Sequence, residues 1–404
     1  MSNVALNQAV PSKTNVRSWL AIVVLGIAMF TVVATEFAPI GLLSSIASDL
    51  GRSPATVGLI VTAYALIGAG SALLSAVLPN QFPRKPLLIG LMLMLAAANG
   101  LAMIAHSFPF LMLARVIGAL SHGVFWAMVA ALATQMAPPN RTGLATSIVF
   151  GGMSIANVLG VPLLNVIGQS WGWRAAFGTL VAACMFTALL MVIVLPQIKT
   201  AGSVGFATLA SVLRSGKLWR VYTVAIFTVA AHFGAFTYIE PYLRNVPSIA
   251  PAMIAAMLFG FGAAGLLGNV LTGALIDRFM KTVIAVSLLL MCVSLIGLGT
   301  FGLSSGVGPV LTLLVVWGAA ISILFIGIQT WVLRTGGEAA IPASAVYTTV
   351  FNSSSGVGAV LGAFVLNNAG LSAVMTSAGL AIVLAFAFVV LDRVKHTRGG
   401  NIDA

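Results

Sequence analysis

The amino-acid sequence predicts an all-α integral membrane protein in which about twelve transmembrane helices form two six-helix repeats. Its hydropathy, the distribution of its positive charges and an internal repeat all point to this fold. Of its 404 residues, 60% are hydrophobic and 6% are charged, and the mean hydropathy is +1.11. In soluble domains, roughly a quarter of the residues are charged. This chain therefore cannot cover a surface that faces water.

Long apolar runs give the number of helices. Crossing a hydrocarbon core about 30 Å thick takes about 20 apolar residues in a helix, and these runs are continuous, unlike the alternating strands of a membrane β-barrel. Breaks at Gly, Pro and charged residues leave twelve candidate spans: residues 19–43, 54–78, 86–105, 108–135, 142–166, 174–195, 218–241, 251–275, 282–303, 309–333, 341–366 and 371–391. They predict an N-terminal bundle over residues 1–195, a cytoplasmic linker over 196–217 and a C-terminal bundle over 218–404.

The positive charges predict the orientation of these spans. With the N-terminus inside, fifteen of the nineteen Lys and Arg residues fall on the cytoplasmic side: Lys13, Arg17, Arg84, Lys85, Arg141, Lys199, Arg214, Lys217, Arg220, Arg278, Lys281, Arg334, Arg393, Lys395 and Arg398. Three fall outside, Arg52, Arg174 and Arg244, and Arg115 lies within a span. Cytoplasmic loops are enriched in positive residues, so we expect both termini in the cytoplasm. The net charge of +12 is therefore explained by topology, and we expect no nucleic-acid partner.

The two halves of the chain resemble one another. Phe-Thr-Val-Val-Ala at 30–34 recurs as Phe-Thr-Val-Ala-Ala at 227–231, and the turn from Asn80 to Arg84 recurs from Asp277 to Lys281, both at an offset of 197. Gly118-Ala119 matches Gly318-Ala319 at an offset of 200, and Val158-Leu159-Gly160 matches Val360-Leu361-Gly362 at 202. Parallel six-helix repeats are typical of secondary transporters, in which two similar bundles move about a site between them.

Charged residues inside spans are costly and mark candidate functional sites. Glu36 lies near the outer end of span 1 and Arg115 near the outer end of span 4, both about 10 Å from the same surface. Opposite charges at equal depth are natural partners. They could couple transport to protonation, because burial favours a neutral carboxyl group and a nearby arginine favours the ionised one. Alternatively, they form a static ion pair that fixes helix packing.

Two histidines extend this candidate site. His122 and Trp126 follow Arg115 on one face of span 4, and His232 lies midway along span 7, close to the repeat counterpart of Glu36. Each histidine could carry a proton or bind substrate, or could be an ordinary packing residue. Glu240, at the outer end of span 7, could gate the outer mouth or be a solvated helix cap.

The turn between spans 8 and 9 is a second polar feature. Asp277, Arg278 and Lys281 follow one another closely there, and we expect the acid to hold a neighbouring helix N-terminus while the arginine contacts lipid phosphate. The sequence shows no phosphate-binding loop, no zinc-ligand spacing and no nucleophile triad. It predicts neither an enzyme nor a metal or cofactor site.

Several of these segments resemble a known family. Thr35-Glu36-Phe37-Ala38-Pro39-Ile40-Gly41-Leu42-Leu43 resembles the first-span signature of the drug:proton antiporters of the major facilitator superfamily. Ser121 to Trp126, and Ala231-His232 together with Tyr238 to Pro241, resemble the bacterial sugar-efflux transporters that export arabinose and thiogalactosides. Arg115-Val-Ile-Gly-Ala resembles the span-4 arginine motif. Gly152 to Pro162 resembles the antiporter motif of span 5, without its adjacent Gly-Pro pair.

The resemblance implies a major facilitator fold and a proton-coupled exporter of a small polar solute, such as a sugar, in the bacterial inner membrane. Exporters of purine nucleosides or of chloramphenicol, and an importer of the same fold, stay as alternatives. Glu36, Arg115, His122 and His232 are the expected proton-coupling residues. The expected substrate-binding residues are Phe125, Trp126, His232, Tyr238, Glu240, Gln329 and Asn352. We expect a monomer in the lipid bilayer that acts on its solute and protons without a cofactor.

Overall fold

The computed structural model describes residues 16–77, 83–137, 141–197 and 212–399, and their regular structure is helical. The longer helices, in chain order, are α1 (Val16–Asp49), α2 (Pro54–Val77), α3 (Arg84–Met103), α4 (Phe108–Met136), α5 (Thr142–Ile155), α6 (Val161–Trp171), α7 (Trp173–Val194), α8 (Gly216–Phe236), α9 (Ile239–Arg244), α10 (Pro251–Phe301), α11 (Val307–Gly336) and α12 (Ala340–Gly399). A π-helical segment, Ala156–Gly160, joins α5 to α6.

The membrane fold predicted from the sequence is confirmed. Eleven helical segments of the described chain are long and apolar enough to cross a membrane. The last of them, Pro342–Val390, has 49 residues, about twice the length that one crossing needs. It is broken at Gly370, whose φ of +82° suits glycine. The described residues therefore provide twelve helical stretches that can cross a membrane, and each predicted span falls on one of them.

Proline removes a helical hydrogen-bond donor at three places, and the helix geometry changes at two of them. Pro162 cannot donate to the carbonyl oxygen of Val158, and the chain widens into the π segment just before it. Pro241 likewise cannot donate to Thr237, and the predicted seventh span is split there into α8 and α9. Pro39 lies inside α1, so the carbonyl oxygen of Thr35 lacks its helical donor. These prolines leave carbonyl oxygens of predicted membrane spans without their helical donors.

The repeat is visible in the packing. Gly160 lies against Ala34 of α1, and its counterpart Gly362 lies against Gly234 of α8. The absence of a side chain at these positions brings the helix backbones close together, as is usual between membrane helices. Equivalent glycines thus join equivalent helices in the two halves.

Contacts between the two halves extend from the middle of the molecule to the end where α1 finishes and α9 lies, which we call the closed end. Here α2 packs along α12, and α6 packs along α10. Gln169 of α6 donates to the carbonyl oxygen of Pro251 at 3.1 Å. The rings of Phe37 and Phe233 lie 5.9 Å apart across the same boundary. The predicted linker over 196–217 lies largely outside the described residues, and the division into two bundles at that linker stays a prediction.

Candidate functional site

The proline-containing helix α1 is held by the arginine of α4. Arg115 donates to the carbonyl oxygen of Thr35 at 2.9 Å and to that of Glu36 at 3.0 Å. The first of these is the oxygen that Pro39 leaves without a helical donor. A buried carbonyl without a partner is costly, so Arg115 stabilises α1 at its proline. The side-chain ion pair expected between Glu36 and Arg115 is not formed; the guanidinium binds the main chain instead.

The carboxylate of Glu36 faces a histidine. Its Oε2 lies 3.7 Å from Nε2 of His122, which is almost fully buried, while the Glu36 side chain keeps 13% of its surface exposed. Nδ1 of His122 is buried and has no partner among the described residues. A carboxyl group and an imidazole at this separation can share or exchange a proton with little movement.

Tyr64 of α2 links the arginine to the histidine, and the sequence analysis missed it. The guanidinium of Arg115 lies 4.1 Å above its ring, and the ring of His122 meets it edge-on at 5.2 Å. Its hydroxyl is buried without a partner in the described structure. A tyrosine in an apolar span looks like a packing residue. The sequence does hold one signal for it. Arg115 lies in span 4, two spans after Tyr64, and a buried guanidinium group favours an aromatic face.

Trp126 continues the same face of α4. Its ring lies 6.0 Å from the ring of His122 and 6.0 Å from that of Phe150 on α5. It is partly exposed, yet its indole N–H is buried and lacks a partner in the described part of the chain. Phe125, the neighbouring residue, is fully buried in the core. Trp126 is thus the better placed of the two to contact a solute.

His232 has very different surroundings. Its ring stacks on Phe236 at 5.0 Å and meets Trp317 and Phe325 edge-on, both at 5.6 Å. No carboxylate contacts it among the described residues, and its Nδ1 is buried and unpartnered. The structure therefore does not bring His232 together with Glu36 and His122 as one cluster. It lies in an aromatic box in the second half.

Glu240 joins the two halves at the closed end. One carboxylate oxygen accepts from Nε of Arg244, and the other accepts from the backbone N–H of Ser44 in α1 at 3.0 Å. The side chain is fully buried, so the alternative of a solvated cap is wrong. A carboxylate in this position latches the end of α1 to α9. Tyr238, also fully buried, donates to the carbonyl oxygen of Ala359 at 3.0 Å and fills the space beside Gly58.

Two further expected substrate residues lie in the second half. Gln329 donates to the hydroxyl of Ser344 at 2.8 Å, and Asn352 donates to the carbonyl oxygen of Thr348 within its own helix at 2.9 Å. Both are partly exposed. Each amide keeps a carbonyl oxygen that accepts nothing in the described structure. These oxygens can accept from a ligand, whereas the polar atoms of Tyr238 and Glu240 are already engaged; the role of all four in substrate binding stays a prediction.

The turn between spans 8 and 9 lies where the sequence predicts it. The helical geometry of α10 breaks at Phe279, and Arg278 lies 5.2 Å from the Phe279 ring. Lys281 lies 5.7 Å from the ring of Trp331 on α11. The side chain of Asp277 lies outside the described part, so its expected contact with a helix N-terminus stays a prediction. Within the described ranges, no three His, Cys, Asp or Glu side chains gather as a metal site.

The repeat shows that the charged cluster is confined to the first half. At the offset of 197, Glu36 and Tyr64 correspond to Phe233 and Phe261, and at the offset of 200, Arg115 corresponds to Val315. Phe261 belongs to the aromatic box around His232. At these corresponding positions the first half therefore carries ionisable groups, and the second half carries two phenylalanines and a valine.

Comparison with known proteins agrees with this architecture. Residues 25–341 match the sequence profile of the Major Facilitator Superfamily. The structure of a bacterial homologue of the human lysosomal transporter Spinster, in an inward-facing and unoccupied conformation, superposes with a TM-score of 0.76 at 16% identity, over 93% of this chain and 96% of that one. The human organic anion transporter MFSD10 superposes with a TM-score of 0.68 at 18% identity, over 92% of this chain and 99% of that one. These likenesses concern the fold, whereas the profile match covers most of the sequence. The chain therefore belongs to the Major Facilitator Superfamily, and it is a membrane solute transporter rather than an enzyme.

Proposed function

We propose that this transporter exports a small polar solute, with a sugar such as arabinose or a thiogalactoside as the first candidate, in exchange for protons. It would act in the bacterial inner membrane, as a monomer with both termini in the cytoplasm. The observation that carries the proposal is the pairing of Glu36 with His122, at 3.7 Å, in the membrane region. A titratable pair at that depth is expensive, and protein folding alone gives no reason for it.

The proton step depends on the freedom of the Glu36 carboxylate. Arg115 is engaged by two main-chain carbonyl oxygens and does not bind that carboxylate. Glu36 can therefore alternate between a protonated form and an ionised form that His122 or a nearby cation stabilises. Substrate arriving beside Trp126 would contact the same histidine ring, because the two rings are 6.0 Å apart. Competition between proton and solute for this cluster would couple the two fluxes.

The arrangement of contacts supports alternating access. The contacts between the halves described above, from Phe37–Phe233 to Glu240–Ser44, lie between the middle of the molecule and the closed end. We assign the closed end to the periplasmic side, on the basis of the positive-inside charge distribution. Opening that end would require the latch at Glu240 to release. The two halves can then exchange access about the site between them.

The two faces of the proposed central site suit a polar ring. The first half offers Trp126 with a free indole N–H, together with the Glu36–His122 pair. The second half offers the amides of Gln329 and Asn352, with aromatic rings nearby at Phe325 and Phe351. Purine nucleosides and chloramphenicol also combine rings with polar groups, and they stay as alternative substrates.

Transport into inside-out membrane vesicles tests the proposal. Vesicles with an acid lumen should accumulate the substrate, and a set of labelled pentoses, thiogalactosides, nucleosides and chloramphenicol would identify it. A protonophore should abolish accumulation. Vesicles that carry the Glu36→Gln variant should accumulate no more substrate than vesicles without the transporter. Accumulation that is unchanged after the proton gradient collapses would contradict antiport. Uptake into right-side-out cells that grows with the external acidity would instead indicate an importer.

A further inference from the structure

A polar cavity of about 530 Å³ lies at the closed end, apart from the proposed central site. This volume is within the range of about 300–1,000 Å³ that is usual for small-molecule sites. Most of its walls come from the first half, and one arginine comes from the second. The lining residues are Ser44, Ser45, Ser48, Asp49, Gly168, Gly172, Trp173 and Arg244. We call this cavity the vestibule.

The charges around the vestibule cancel. Asp49 binds Nη1 of Arg174 at 2.7 Å, and Arg244 binds the buried Glu240. Each arginine is thus balanced by one carboxylate at short range. An anion entering the vestibule would meet Asp49, and a cation would meet Arg244. Neither sign gains a net attraction, and so the site favours a neutral solute.

The vestibule also has hydrogen-bonding groups without partners. Within the described structure, the hydroxyls of Ser44, Ser45 and Ser48 make no hydrogen bond, and Arg244 uses only its Nε. The remaining guanidinium nitrogens are donors, Asp49 keeps an accepting oxygen, and the hydroxyls serve as both. Adjacent hydroxyl groups of a polyol need such a mixture of donors and acceptors. The wall formed by Trp173, Gly168 and Gly172 leaves room for the carbon skeleton of the polyol.

We propose that the vestibule is a second binding site, for a neutral polyhydroxylated solute. This deepens the proposed export function, on which it rests for the identity of the external solute. Because serines of α1 and Arg244 of α9 would hold the same molecule, an occupied vestibule ties the two halves together. External solute therefore holds the closed end shut and slows export when it accumulates outside.

Site-directed labelling tests this site directly. The full-length protein carries Ser48→Cys as the labelling site, and Cys184→Ser and Cys292→Ser remove its two native cysteines. In vesicles, a membrane-impermeant maleimide is added on the side of the membrane that the closed end faces. L-arabinose or xylitol on the same side should slow the labelling. The rate should fall by a factor of 1 + [L]/Kd, which is about tenfold when the polyol concentration is ten times its dissociation constant. Gluconate, which adds a carboxylate to the same hydroxyls, should not protect.

Two controls separate the vestibule from other effects. Ser304→Cys, exposed at the same end and outside the vestibule, should label at one rate with or without polyol. Protection of Ser48→Cys should persist with Trp126→Ala, whether or not Trp126 proves to line a transport site. Ser45→Cys provides a second reporter if Ser48→Cys is poorly folded.

Three outcomes would overturn the inference. They are a labelling rate unaffected by any neutral polyol, equal protection by gluconate, and protection that disappears with Trp126→Ala. Failure of export in the vesicle assay, with protection of Ser48→Cys intact, would refute the proposed function and leave the vestibule site standing.

Discussion

Glu36 and Arg115 lie side by side, yet the guanidinium binds the carbonyl oxygen of Glu36 and not its carboxylate. The carboxylate faces Nε2 of His122 instead, at 3.7 Å. The arginine thus satisfies the carbonyl oxygen that Pro39 leaves without a helical donor in α1, and the carboxylate stays free of the guanidinium. In the proposed mechanism, the arginine supports the backbone and the acid handles the proton.

Arg115→Lys should fail to replace arginine. A lysine ammonium cannot span two neighbouring carbonyl oxygens as the planar guanidinium does. Each hydrogen bond from a charged donor contributes about 1.5–3 kcal/mol, so we expect lower folded yield and thermal stability for Arg115→Lys and Arg115→Gln. A static ion pair with the carboxylate predicts that Glu36→Gln/Arg115→Gln recovers the wild-type stability. Our structure predicts no recovery, which fluorescence-detected size exclusion after heating can measure.

Tyr64 should matter for its ring and not for its hydroxyl. Tyr64→Phe keeps an aromatic face beneath Arg115 and should transport at a rate close to that of the wild type. Tyr64→Leu removes a cation–π contact worth about 0.5–2 kcal/mol and should lower both stability and transport. Measured rates of proton-driven uptake in vesicles compare the two. Loss of transport in Tyr64→Phe at normal expression would show that the unpartnered hydroxyl takes part in the proton path.

His232 should not carry the coupled proton. Aromatic rings enclose it, and no carboxylate contacts it in the described structure. We expect His232→Phe to retain a dependence of transport on the proton gradient while changing the apparent affinity for the solute. His122→Phe is the matched change in the first half, and it should weaken the gradient dependence. Uncoupled transport in His232→Phe together with normal coupling in His122→Phe would reverse this assignment.

Glu240→Gln should loosen the closed end. The bond that crosses between the halves is the one that the Glu240 carboxylate accepts from the N–H of Ser44, because the pair with Arg244 lies within α9. Hydrogen bonds to charged groups contribute about 1.5–3 kcal/mol and neutral ones about 0.5–1.5 kcal/mol, so a neutral amide that weakens this bond by about 1 kcal/mol should raise the ratio of open to closed molecules about fivefold. Distances between spin labels at Arg52 and Gly306 measure this ratio. Arg244→Gln is the companion variant; an unchanged distance distribution in both would remove the latch from the gating mechanism.

The sequence predicts the fold well because hydropathy, loop charges and the repeat depend on local composition. It also finds Glu36, Arg115, His122 and His232, because ionisable groups stand out in apolar spans. It does not predict partners across the molecule. Ser44 and Glu240 are 196 residues apart, and nothing in the sequence distinguishes a buried latch from a solvated cap. Tyr238 reads as a cavity residue, yet its hydroxyl is engaged by Ala359.

One missed relationship was available in the sequence. Pro39 necessarily leaves the carbonyl oxygen of Thr35 without a helical donor, and Arg115 is the strong donor at the same depth. Reading the proline and the arginine together would have predicted the backbone contact. The role of Tyr64 is harder to predict from the sequence. Aromatic residues are common in apolar spans, and whether this ring faces Arg115 depends on the rotation of α2 about its axis.

The central claim is that protonation of Glu36 drives the exchange, and purified protein with Glu36→Gln in proteoliposomes tests it most directly. The neutral amide resembles the protonated acid, so counterflow of labelled substrate against unlabelled substrate should proceed, and uphill transport driven by a proton gradient should be absent. Arg115 should stay bound to the main chain, and so the folded yield should match that of the wild type. Proton-driven transport at the wild-type rate in well-folded Glu36→Gln would contradict the account.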